Sequence, residues 1–386
     1  MLDSTTLNHA ARILAARSDA PADAVLRDYL ASLPRLPQRE RRAVSRAVFS
    51  YFRWRQWLEP RAPVRKQLEE ASDLQERFER DPRSVKPETL AARAVPDWLR
   101  AEMELPVEFL QHLQREPALW LRARPGTGER LAATLGHCTP APQSAEALRF
   151  TGHQDLFRSP PFQAGEFEIQ DLASQLVGLA ATPRPGETWW DVCAGEGGKT
   201  LHLADLMANQ GLVWASDRSP RRLEVLKRRA ARAKIFNYRT AVWPGIVAGV
   251  RPTLPTKGKF DGILVDAPCS AIGTWQRNPH ARWTTTPGDI TELAAIQAAL
   301  LDAVAGSVKT GGRLIYAVCT LTRRETEEIA AGFLAAHPEF IPEPLTGIVS
   351  ADSGGPSPSR VLLWPQSIHA NGMFIAAWKR RSAPQG

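Results

Sequence analysis

Between residues 43 and 52, Ala43, Val44, Ala47, Val48, Tyr51 and Phe52 recur every three or four positions. That is the spacing of one buried stripe on a helix. Arg39, Arg41, Arg42, Arg46, Arg53 and Arg55 fill much of the remaining surface, as a solvated face or one that meets RNA. Residues 1–92 therefore read as a helical domain. Residues 69–87 are charged and poor in apolar side chains, with Pro82 and Pro87 as breakers, and read as a linker. The pattern then shortens. Trp120-Leu121-Arg122-Ala123 and Ala147-Leu148-Arg149-Phe150 have the look of strands between Pro and Gly turns, so residues 93–165 are expected to form a small α+β module.

From Phe167 onward, apolar runs of strand length alternate with helical periods, the mark of a doubly wound parallel sheet. Strands are predicted over 188–192, 212–216, 238–242, 262–265 and 313–317. Helices are predicted over 199–209, 220–234, 290–308 and 324–337, with a terminal hairpin over 360–364 and 372–378. Residues 166–381 thus read as one α/β domain.

Composition narrows the class. At 386 residues and 43% apolar, the chain can fill more than one core. The N-terminus lacks a secretory pattern, and no window is long and apolar enough for a membrane span; a cytoplasmic location is expected. Lys and Arg total 49 against 41 Asp and Glu, a net charge of +8 that suits a polyanionic partner. The basic helix 220–234 reads as a solvated flank. The stretch Gln276-Arg277-Asn278-Pro279-His280-Ala281-Arg282-Trp283 is the better candidate for meeting splayed bases, because arginine and tryptophan stack on them. His280 reads as a surface histidine rather than an acid or base. Cys138, Cys193, Cys269 and Cys319 are far apart, with no C-x-x-C pair, so neither a metal site nor a disulfide framework is expected.

Asp191-Val192-Cys193-Ala194-Gly195-Glu196-Gly197-Gly198-Lys199-Thr200 follows the first strand of the α/β domain and opens a helix. Glycines let a ligand approach the backbone, and the helix start offers unpaired N–H donors. A dinucleotide fingerprint fails because Thr200 stands at the third glycine position. A phosphate loop is incomplete because Cys193 stands at its first glycine, although Gly198-Lys199-Thr200 supplies its end and an NTPase stays open as an alternative. The D-x-G-x-G-x-G turn of Rossmann-like methyltransferases fits with Cys193 in place of the first glycine. Asp217, ending the second strand, stands where a carboxylate would hold a ribose diol or cap the next helix.

Two further motifs end strands: Asp266-Ala267-Pro268-Cys269-Ser270 and Tyr316-Ala317-Val318-Cys319-Thr320. A single cysteine is more often a small buried hydrophobe than a catalyst. A pair at carboxyl ends of strands, where open α/β sheets bind ligands, shifts the balance towards chemistry.

Together these motifs resemble the Sun (RsmB-like) RNA cytosine-5 methyltransferases of the NOP/Sun group. Phe167–Gln175 is similar to the family's lead-in to the catalytic domain, and Asn371-Gly372-Met373-Phe374-Ile375-Ala376 to its closing strand. The resemblance implies a Rossmann-like class I methyltransferase domain preceded by a NusB-like helical domain and a small RNA-binding module. It implies S-adenosylmethionine as cofactor, held by Cys193, Ala194, Gly195, Glu196, Gly197, Gly198, Lys199, Asp217 and Asp266. It implies Cys319 as the nucleophile, Cys269 as the residue that assists release of the product, and Asp266 as a contact to the base. RNA, and ribosomal RNA in particular, is the implied partner, with no metal, membrane or stable protein partner. The chain departs from the family at Gly195-Glu196, usually Ala-Pro, and at Glu325-Thr326, usually Glu-Asn. It also lacks the acidic residue near the third strand that contacts adenine, leaving Trp243 as the candidate to stack there. An RNA-binding assembly factor with a decayed cofactor site is the non-enzymatic alternative.

Overall fold

A computed structural model describes residues 2–16, 21–246, 254–348 and 357–382. The described chain divides into two compact units, residues 1–117 with 272–287, and residues 118–271 with 288–386.

The first unit is helical. Helices Ser4–Ala15, Gln38–Trp54 and Val64–Arg80 bury Leu7, Ala10, Ile13, Val44, Ala47, Val48 and Leu68 in one core. The apolar stripe predicted around 43–52 therefore faces inward. Of the six arginines there, Arg41 is spent on the carbonyls of Leu30, Leu33 and Leu36, and Arg53 is buried against Gln75. The expected linker over 69–87 is instead mostly helix. Val64–Arg80 carries Leu68, Ala71, Gln75 and Phe78 into the interior, a stripe spaced too sparsely for composition to flag.

The second unit holds two sheets. The smaller is antiparallel, with strands β1 (Leu119–Ala123), β2 (Cys138–Ala141), β3 (Ser144–Phe150) and β4 (Phe167–Ile169) in the order β2-β3-β1-β4. The larger has eight strands: β5 (Thr188–Asp191), β6 (Leu212–Asp217), β7 (Tyr238–Val242), β8 (Phe260–Asp266), β9 (Val308–Val318), β10 (Phe340–Pro342), β11 (Arg360–Leu363) and β12 (Met373–Arg380). Its order is β7-β6-β5-β8-β9-β12-β10, parallel from β7 to β9, with β12 antiparallel to β9 and β11 also paired to β12. The predicted hairpin is the β11–β12 pair.

The central strand shows why the sheet is covered on both sides. Trp189 and Trp190 are both fully buried but point to opposite faces, as successive strand residues must. Trp189 joins helices Leu172–Ala181, Gly198–Leu206 and Pro220–Arg232. Trp190 joins helices Pro287–Ala305 and Glu327–Ala336. Gly262 on β8 has no side chain because the Trp189 ring occupies the space; a Cβ there would lie 2.3 Å from it. Strand order reverses direction at β5, so the crevice for a ligand opens at the carboxyl end of that strand.

Among the described residues no helix is long and apolar enough to cross a membrane, and no group of three or more His, Cys, Asp and Glu is arranged to hold a metal ion.

Candidate active site

The turn after β5 is built from left-handed backbone. Gly195 has φ 55° and Gly197 φ 87°, angles that strain any residue with a Cβ. Gly197 is also crowded, since a Cβ would sit 2.5 Å from Leu226, whereas nothing lies within 4 Å of the Cβ position at Gly195. The Gly195 N–H donates to Asp217 Oδ2 at 2.9 Å, and the Ser219 N–H donates to Oδ1 at 2.8 Å. Asp217 is thus aimed from the end of β6 across the turn. Ser219 caps the following helix, with Pro220 in its first turn.

Asp191, Asp217 and Asp266 lie close enough to Cys193 for their charges to act on it. Burial first, and these three carboxylates next, push the Cys193 thiol far above its ordinary range, so it is a neutral group in the turn. Asp191 is 1% exposed and accepts from Thr200 Oγ1 at 2.6 Å, while its Oδ1 has no partner. Burial raises its carboxyl to about 7, against the pull of Thr200. Lys199 is buried, yet its ammonium is favoured because Asp266 Oδ2, 2.7 Å away, outweighs the cost of desolvation. It also donates to Ser174 Oγ at 3.1 Å and lies within electrostatic reach of Cys319. Lys199 and Thr200, the two side chains a phosphate loop would use, are thus engaged with Asp266 and Asp191.

The two cysteines come from adjacent strands. Cys269 follows β8 and Cys319 follows β9 directly, and their Sγ atoms are 3.4 Å apart with no disulfide between them. The hydrogen bond to Cys319, with burial, pushes the Cys269 thiol well above its ordinary range. The two thiols share one hydrogen bond, in which either sulfur can be the donor. Ala271, at φ 57°, turns its N–H to the Cys269 side in partial opposition.

Glu325 fastens the two cysteine loops together. It is fully buried, and its Oε1 accepts from the Ser270 N–H (2.9 Å) and Gln297 Nε2 (3.0 Å). Its Oε2 accepts from the hydroxyls of Ser270 (2.5 Å), Thr322 (2.9 Å) and Thr320 (3.1 Å). Gln297 also donates to Pro268 O, and Tyr316 Oη donates to Glu325 O at 2.7 Å. Thr326 Oγ1 donates to the Thr322 carbonyl, so the residue standing for asparagine serves the same loop. In the sequence Glu325 stands out only as half of a departing pair; its signal is a carboxylate six residues after a strand-end cysteine.

Two expectations are corrected. Trp243 is 3% exposed and packs at 5.7 Å on Trp190 in the core, so its ring is not offered to a ligand. In the stretch 276–283, the Arg282 guanidinium and the Trp283 N–H are engaged within the helical unit, so this arginine–tryptophan pair is not offered to bases. Arg282 is fully buried and donates to the carbonyls of Ala94 (2.8 Å) and Leu113 (3.0 Å). Trp283 Nε1 donates to Phe52 O, Gln276 Nε2 to His112 O, and His280 packs edge-on against Phe52. Cation and aromatic are interleaved here to satisfy backbone carbonyls at helix C-termini, a use that composition cannot tell from base stacking.

A family model described as 16S rRNA methyltransferase RsmB/F matches residues 179–379. The chain is 34% identical over 304 residues to a probable ribosomal RNA small subunit methyltransferase B of Synechocystis, covering 74% of this chain and 66% of the relative. It is 35% identical over 227 residues to the corresponding Bacillus subtilis protein, covering 57% and 49%. The matched region thus spans less than two thirds of these relatives. The crystal structure of PH0851 superposes with a TM-score of 0.77 at 23% identity, over 98% of this chain and 99% of that one, and shares its fold. This chain belongs to the 16S rRNA methyltransferase RsmB/F family.

Proposed function

We propose that this protein transfers a methyl group from S-adenosylmethionine to carbon 5 of a cytosine in small-subunit ribosomal RNA, through a covalent bond between Cys319 and the base. The observation that carries this reading is the pair of cysteines that follow two adjacent strands, with their sulfur atoms 3.4 Å apart. The names of the sequence relatives support ribosomal RNA as the substrate class.

The residues after β5 and β6 fit the cofactor. The space over Gly195 is open, and the Asp217 carboxylate is oriented across the turn by two backbone N–H groups. S-adenosylmethionine supplies an electrophilic methyl group carried on a sulfonium. The backbone of Cys193–Lys199 and the Asp217 carboxylate would hold it, the latter through the ribose hydroxyls. Glu196 is exposed at the turn, where its backbone carbonyl accepts from Arg229 Nη1 at 2.8 Å.

The chain's own groups account for the rest. Carbon 5 of cytosine is a poor nucleophile until a thiolate adds at carbon 6. Cys319 sulfur forms that bond, and the pair from the C5–C6 double bond moves to carbon 5, which takes the methyl group. Loss of the carbon-5 proton then restores the double bond as the sulfur–carbon bond breaks and the thiolate leaves. The Lys199 ammonium favours the thiolate at Cys319. Asp266, held by Lys199 and partly exposed, would accept from the amino edge of the base. Cys269 is the neighbouring acid–base group that assists release. Residues 1–92 and 93–165 are proposed as the NusB-like and small α+β parts that engage RNA, ahead of the methyltransferase domain at 166–381.

The test uses ribosomal RNA transcribed with cytosine tritiated at carbon 5. Wild-type protein with S-adenosylmethionine is expected to release tritium, and Cys319→Ala is expected to release none. Full activity in Cys319→Ala would overturn the mechanism. Failure of calorimetry to detect cofactor binding at millimolar concentration would favour the assembly-factor alternative.

A further inference from the structure

The charge of the chain is concentrated in one place. Between residues 218 and 239 lie nine of its 49 Lys and Arg but only one of its 41 Asp and Glu. That segment alone carries +8, the net charge of the whole protein, and the other 364 residues hold 40 charges of each sign. The fold uses only part of this surplus. The helix Pro220–Arg232 buries Leu223, Leu226 and Ala230, and two of its arginines, Arg229 and Arg232, pair with the buried carboxylate of Glu168. Arg218, Arg221, Arg222, Lys227, Arg228, Lys234 and Arg239 remain exposed, opposed within the segment only by Glu224, which pairs with Lys227.

An aromatic ring stands at the end of this track. Phe236 is 76% exposed, the most exposed of the large apolar side chains among the described residues. Its backbone is not loose. Asn209 Oδ1 accepts from the N–H groups of Phe236 (2.9 Å) and Asn237 (3.2 Å), while Asn209 Nδ2 donates to Lys234 O (3.0 Å). Lys234 adopts φ 54° to make the turn. The core gains nothing from this ring, because the neighbouring Ile235 fills the buried position. An exposed ring on a fixed backbone turn, flanked by cations that far outnumber the acids Glu196 and Glu224, is what unpaired nucleotides require: phosphates meet the cations and a base stacks on the ring.

We infer that residues 218–239 form a track for single-stranded RNA, with Phe236 as its stacking platform. The segment starts directly after Asp217, so it runs from the cofactor end of the crevice along the outside of the sheet. This rests on RNA being the substrate, as proposed above.

The experiment measures fluorescence anisotropy of a fluorescein-labelled 20-nucleotide RNA of mixed sequence, single-stranded or as a duplex, over a range of salt concentrations. Every phosphate that the protein no longer neutralises lowers the log–log salt slope by ~0.7 for a single strand. The variant Arg221→Gln/Arg222→Gln/Lys227→Gln/Arg228→Gln is expected to reduce the slope by about 2 to 3. Phe236→Ala is expected to weaken single-strand binding by about tenfold with the slope nearly unchanged, and Phe236→Trp to restore it. All substituted side chains are exposed, and unchanged thermal unfolding and cofactor affinity establish that each variant is folded. Patch variants that bind RNA with wild-type affinity and slope overturn the track while leaving the RNA substrate intact; a patch that serves an acidic protein gives this result. Wild-type protein that binds the cofactor but neither RNA overturns the substrate reading, and the track with it.

Discussion

The two sides of the crevice are held by different means. On the cysteine side, one buried carboxylate, Glu325, gathers donors from Ser270, Gln297, Thr320 and Thr322, and each of its oxygens is satisfied. On the cofactor side, a left-handed glycine turn is surrounded by Asp191, Asp217 and Asp266, and Asp191 keeps one oxygen buried without a partner. A fully satisfied network fixes geometry, which is what two sulfur atoms sharing one base need. Carboxylates crowded together are costly without cations; Lys199 answers Asp266, and a sulfonium ligand would add a second positive charge.

That contrast can be broken in graded steps. Removing the nucleophile is the largest. Cys319→Ala is expected to lower methyl transfer by at least ~10³-fold with cofactor affinity unchanged, measured by transfer and by calorimetry. Cys269→Ala is expected to methylate and then stall, accumulating a protein–RNA band on denaturing gels; rapid release without that band would remove Cys269 from the release step. Glu325→Ala leaves several buried donors unmatched and is expected to destabilise the fold by about 3–5 kcal/mol. Glu325→Gln keeps the shape but reverses one donor–acceptor match. It should lower kcat by up to ~10²-fold with little change in KM for RNA, because a small displacement between the sulfurs is enough. A rise in KM with kcat unchanged would make Glu325 a binding residue instead.

The smallest effect belongs to the cofactor side. Burial raises Asp191 to about 7 from the ordinary value of 3.8, so the folded protein holds a proton that the unfolded chain has released. Its contribution to stability is complete below pH ~4 and is lost as pH rises to about 7. Asp191→Asn should flatten this part of the stability–pH profile in urea titrations, and an unchanged slope would contradict the assignment.

Much of this is legible in the sequence, for reasons that differ by region. The strands around Asp191, Asp217, Asp266 and Cys319 follow from local apolar runs, and their site residues fall at strand ends by topology alone. Glu325 is visible as a residue but not as a clamp, because its partners Ser270 and Gln297 lie 55 and 28 positions away. The two arginine-rich stretches differ in what the fold makes of them. In 276–283, Arg282 and Trp283 answer carbonyls of distant helices, which no local pattern reveals. In 218–239 the periodicity of Leu223, Leu226 and Ala230 is plain, but the exposure of Phe236 depends on Asn209, in another loop.

The claim that Cys319 carries the base is tested most directly by trapping. RNA containing 5-fluorocytidine cannot lose fluorine from carbon 5, so the covalent complex should persist, and peptide mass spectrometry can locate it. The expected result is a cofactor-dependent adduct on Cys319, absent in Cys319→Ala. An adduct on Cys269, or one that survives in Cys319→Ala, would contradict it.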